Sequence, residues 1–139
     1  MLHLATSSNL FFMSITKTLP TNDHLISLQH AAEMTTRYRQ NKEEILAPAY
    51  QEQNILPNSE TFNRAAIEKL LSGKDCAGIR IYYGMDESLK SHAILVGVNE
   101  MNEDILPSFS NQLTGTDEPI VEEGQRCPDF CPPGSPLNT

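Results

Sequence analysis

Basic residues are scarce in this sequence. Lys and Arg number 10 against 18 Asp and Glu in 139 residues, a net charge of −8. A nucleic-acid binder needs cations to neutralise phosphates, and docking on anionic lipid needs them as well, so neither class is expected. No apolar run approaches the roughly 20 residues that cross a bilayer. Cysteine is sparse too, three in all, with no second Cys/Cys or His/His pair to complete a common metal pattern. The HExxH, GxSxG and GxxxxGK signatures are all missing, and no internal repeat is visible.

What is present suffices for one small domain. Leu, Ile, Val and Phe total 33 residues, enough for a modest core but not for two well-packed domains. The charge is unevenly placed. Residues 1–85 carry eight acids and eight bases, whereas residues 86–139 carry ten acids against Lys90 and Arg126. Such a skew reads as a solvated face or as a docking surface for a basic protein partner.

MLHLATSSNLFF is apolar in flavour but lacks a preceding positive charge and a small-residue cleavage pattern, so it makes a poor signal peptide. Residues 1–12 read as an upstream stretch before Met13, and residues 1–26 as a poorly packed N-terminal extension. Without a signal, the expected location is the cytoplasm. Ser27 is placed to cap a first helix whose apolar positions include Leu28, Ala31, Thr35, Tyr38 and Ile45, ending before Pro48. A second helix carries Phe62, Ala66, Ile67, Leu70 and Leu71 behind a Ser59 or Thr61 cap, with Gly73 at C′.

The period then changes from 3.6 to 2. GIRIYYG sets Ile79, Ile81 and Tyr83 on one face and Arg80 and Tyr82 on the other, and SHAILVGV sets His92, Ile94, Val96 and Val98 together. DILPSF suggests a third short strand, and Pro119-Ile-Val-Glu an added edge strand. Residues 27–123 therefore read as an α+β domain, two amphipathic helices packed on a three- to four-stranded antiparallel sheet. Residues 124–139 read as an extended Cys/Pro-rich tail, since four prolines in its last twelve residues forbid helix and inner strand.

CAGIRIYYGMDESLKSHAILVGVNEMNEDILP, preceded by MTTRYRQN and followed by QRCPDFCPPGSPLN, resembles a family of short uncharacterised bacterial proteins with no assigned activity. The resemblance spans roughly residues 27–139, and the tail is its most specific part. It implies a single-domain bacterial protein and carries over no catalytic or binding residue.

Cys127 and Cys131, spaced C-x3-C, admit several readings. They fit half of a zinc site completed by Cys76 or His92, a local disulfide, a redox pair, or small apolar side chains pinning the tail. Cys76, just before the first strand, is expected to be buried. His92 needs a carboxylate and a cleft to act as a base, with Asp86 and Glu87 nearest in sequence. One of Tyr82 and Tyr83 should be core and the other exposed beside Arg80, an arrangement that suits recognition. Phe130 is the expected apolar anchor of the tail, and Ile81 and Ile94 are expected inside.

These readings favour a small soluble acidic binding or accessory protein acting through protein–protein contacts, with interaction residues Arg80, Tyr82 and Phe130. The alternatives are a metal- or thiol-dependent enzyme using Cys127, Cys131 and His92, and a structural subunit assembling through sheet edges.

Overall fold

A computed structural model describes residues 18–108 and 119–139 of the chain. Residues 1–12 lie outside the described residues, as does most of the expected extension. Its described end is partly attached. Leu19 donates its N–H to Glu100 O at 3.1 Å, and its side chain lies over Gly78, 3.4 Å from where a Cβ would stand.

The elements run α1 (Leu28–Asn41), β1 (Ser59–Thr61), α2 (Arg64–Leu71), β2 (Gly78–Met85), β3 (Ser91–Val98), β4 (Asp104–Ile105) and β5 (Gln125–Cys127). The α+β class is as expected, but the strands form two antiparallel sheets rather than one. The larger has the order β2-β3-β4, and β1 pairs with β5 in the smaller. Period-2 patterning in β2 and β3 produces the long hairpin, in register from Gly78↔Val98 to Met85↔Ser91. The segment at 119–122 contributes only a bridge, Leu95↔Val121.

Ser27 caps α1 as its position predicts, its Oγ accepting the His30 N–H at 3.1 Å. α2 begins later than expected. Asn63 is its cap, because Ser59 and Thr61 are taken up by β1. Only α2 buries a side chain, Leu70, against β2 and β3; α1 buries none.

The core is small. Ile55, Leu70, Leu95, Val96, Val98 and Cys127 are its buried apolar members. Ile81 is not among them, being 52% exposed, while Ile94 is half-buried. The reason is cross-strand pairing. Ile81 shares a face with Leu95, but α2 covers that face only toward Gly97, where Leu70 O and Cys76 Sγ approach.

The tail is not simply extended. Gln125–Cys127 is strand, residues 128–130 turn, and a second turn closes over residues 136–138 with Asn138 N–H on Ser135 O. Arg39 holds its last residues through the backbone oxygens of Leu137 and Thr139.

Candidate functional site

Four successive carbonyls in the segment ahead of β1 each receive a side chain from elsewhere in the fold. Asn54 O and Ile55 O accept from Arg126 Nη2 at 3.0 and 3.2 Å, Leu56 O from Lys42 Nζ at 2.8 Å, and Pro57 O from the Tyr38 hydroxyl at 2.8 Å. Ile55 O also accepts the Ser91 N–H at 2.7 Å, and Ser91 O accepts from Arg126 Nε at 3.0 Å. α1, β3 and β5 are thereby fastened to one stretch of backbone, and the buried Ile55 carbonyl finds the partners it requires. Burial pushes the Tyr38 phenol pKa up, with Arg126 opposing and Glu43 adding, so the hydroxyl stays a donor.

This latch shapes a groove of about 660 Å³. Its floor is the face of the hairpin that carries Ile81, Tyr83, Ala93 and Leu95, and its walls are Tyr38, the 56–60 segment and Phe62. Tyr83 is 85% exposed along it. Glu60 lies in the wall. Its Oε1 accepts the Ala93 N–H at 3.0 Å, while Oε2 is shielded from solvent and has no hydrogen-bond partner among the described residues. A Cβ at position 124 would meet Phe62 Cζ at 2.7 Å and Glu60 Oε2 at 2.9 Å, so any residue but glycine there would push these side chains aside.

The expected interaction residues fall elsewhere. Arg80 and Tyr82 do lie together, the guanidinium 5.9 Å from the ring centre, but on the face opposite the groove. Arg80 is ion-paired with Asp104 and donates to Asn102 O at 3.0 Å, and the Tyr82 hydroxyl also bonds Asp104. That cluster ties β2 to the turn before β4, leaving the guanidinium committed within the chain. Neither Tyr82 nor Tyr83 is core; both are exposed.

Phe130 is 66% exposed and anchors nothing. The tail is held instead by Arg126, 6% exposed, and by Cys127, which is buried. Cys127 and Cys131 form a disulfide with Cα atoms 4.5 Å apart, so neither offers a thiolate to a metal. Among the described residues, no group of three His, Cys, Asp or Glu is placed to hold a metal ion. Cys76 is half-buried, donating to Gly78 O at 3.3 Å.

His92 has the carboxylate partners its role as a base would need. Nε2 is 3.1 Å from Asp86 Oδ2 and Nδ1 is 2.9 Å from Glu122 Oε1, the latter out of line for a hydrogen bond. Among the described residues only Nε2 is hydrogen-bonded, so the imidazole is held by the hairpin turn and stands beside Glu122. The Lys90 N–H foremost, with His92 and the Ser88 N–H, lowers the Asp86 pKa.

Sequence reasoning missed Tyr38, Glu60 and Phe62 as neighbours of one groove, and Arg126 as part of the latch beside it. Tyr38 and Phe62 were visible only as helix-period apolar residues, and Arg126 only as a rare cation in an acidic stretch. No helix among the described residues is long and apolar enough to cross a membrane. No family model matches the chain, and comparison with curated proteins and with solved structures finds no match.

Proposed function

We propose that this is a small acidic binding protein, an accessory to other proteins, whose groove takes an apolar segment of a partner that also carries a basic residue. The observation that carries the reading is the groove itself. At about 660 Å³ it falls within the usual span of built binding sites, and Tyr38, Phe62, Ile81 and Tyr83 line it. Contiguous exposed apolar side chains of this kind mark interaction surfaces, and aromatic anchors dominate interface energetics. The net charge of −8 and the Glu60 carboxylate in the wall favour a basic partner, by steering as much as by affinity.

The test uses two labelled decapeptides, one alternating Leu and Lys and one alternating Leu and Glu, titrated into the full chain. The Lys peptide is expected to bind and to shift the NMR signals of Phe62 and Tyr83. Tyr83→Ala should weaken that binding, and Glu60→Gln should reduce the preference for Lys. Equal binding of both peptides, or shifts confined to other surfaces, would refute the proposal.

A further inference from the structure

β2 is the outer strand of its sheet, and its free side is unusually open. The Asp86 N–H bonds Lys90 O at 3.0 Å just past the strand, in the same register as the ladder. On the far side of β3, the odd-numbered Leu95 exchanges bonds with Val121 and Asn99 bonds Glu103. Bonding direction alternates along an antiparallel strand, so the even-numbered residues of β2 bond to β3. Ile79, Ile81, Tyr83 and Met85 then point their N–H and C=O groups outward, where no hydrogen bond reaches them among the described residues. The side chains of Ile81, Tyr82, Tyr83 and Met85 are exposed as well. Natural edges are blunted by proline, free charge or bulges. This one has no proline, its pairing is unbroken, and Arg80 is neutralised by Asp104.

We propose that β2 pairs antiparallel with β2 of a second copy, about a two-fold axis through Tyr82, so that the two sheets become one. Ile79 then lies opposite Met85 of the other chain, and Ile81 opposite Tyr83. All the outward groups are satisfied, giving about eight main-chain bonds against the roughly 10 ± 5 of a typical interface. Ile81 with Tyr83 is a favourable β-branched–aromatic cross-strand pair. Charge fits this register. Arg80 falls opposite Gly84 and Asp86 opposite Gly78, so no like charges meet although each chain carries −8. A segment that complements itself in this way suits an isologous contact. The inference stands on backbone pairing and does not rest on the peptide-binding reading, although Ile81 and Tyr83 also line the groove.

Light scattering and amide exchange on the full chain test it, from about 1 to 200 µM under non-reducing conditions. The expected mass at the upper end is twice 15.5 kDa. The amides of Ile79, Ile81, Tyr83 and Met85 should exchange at least about tenfold more slowly at high concentration, while those of Arg80 and Tyr82 stay unchanged. Tyr83→Pro removes an outward N–H without touching the ladder to β3, and should weaken dimerisation about a hundredfold. If that variant does not fold, Met85→Lys sets a cation opposite Ile79 and should weaken it about tenfold. A mass of 15.5 kDa at 200 µM overturns the proposal. So does a dimer whose four outward amides exchange as fast as in the monomer, or one that both variants leave intact.

Discussion

Arg126→Ala should detach the tail from the domain. The guanidinium is 6% exposed and donates to Ser91 O, Asn54 O and Ile55 O at 3.0–3.2 Å. Truncation leaves Ser91 O and Asn54 O without a donor, while Ile55 O keeps the Ser91 N–H. Both acceptors are only partly buried, so each costs toward the lower end of the roughly 1–3 kcal/mol of a buried acceptor left unmatched. Loss of the side chain's apolar stem adds roughly 0.8 kcal/mol per methylene. Against this stands relief of a buried cation that has no carboxylate partner among the described residues, a return of several kcal/mol. The balance is a net loss of about 1–3 kcal/mol. Urea unfolding followed by circular dichroism, with the disulfide kept intact, measures it. Arg126→Lys should recover only part, because a point charge replaces a planar fork. Phe130→Ala, at a side chain 66% exposed, should change stability by no more than about 0.5 kcal/mol. Equal effects of Arg126→Ala and Phe130→Ala would refute the assignment of the tail's anchor.

Leu70→Ala should cost about 2–5 kcal/mol and Ile81→Ala below about 1 kcal/mol, since one is 2% exposed and the other 52%; equal losses in thermal unfolding would mean that Ile81 is covered. The folded Asp86 pKa lies below its ordinary 3.8, so its contribution is present above that pH and is lost as pH falls through the folded value. Asp86→Asn should accordingly lower stability at neutral pH, with the gap narrowing as pH falls through the folded Asp86 pKa; a gap that does not narrow in acid would refute this. Intact mass and thiol labelling under non-reducing conditions should show a single reactive cysteine, Cys76. Disulfides persist in oxidising compartments and are rare in reducing cytosol. Recovery of the Cys127–Cys131 bond from cells would therefore move the chain away from the cytoplasmic expectation.

The hairpin was legible because period 2 in GIRIYYG and SHAILVGV is a local signal, and the Ser27 cap because capping chemistry is local too. β1 and β5 were not legible. Ser-Glu-Thr and Gln-Arg-Cys have no apolar alternation, and each is a strand only because the other lies beside it. Ile81 was misplaced because alternation shows which residues share a face and not how far a helix covers it. The Arg126 latch escaped notice for a related reason. Its acceptors are backbone carbonyls, which every residue carries and no side-chain pattern reveals.

The β1–β5 pairing also sets an order on synthesis. Ser59–Thr61 has its partner strand at Gln125–Cys127, so it emerges from the ribosome with nothing to pair with. At roughly 5–20 residues per second the wait lasts several seconds. The β2–β3 hairpin, whose partners are adjacent in sequence, can close within that interval. Asn54 O gains its side-chain donor only when Arg126 emerges, whereas Leu56 O and Pro57 O can already receive Lys42 and Tyr38. The nascent chain thus passes through a stage in which the hairpin can be complete while β1 still lacks its partner strand and the Arg126 contacts are unmade.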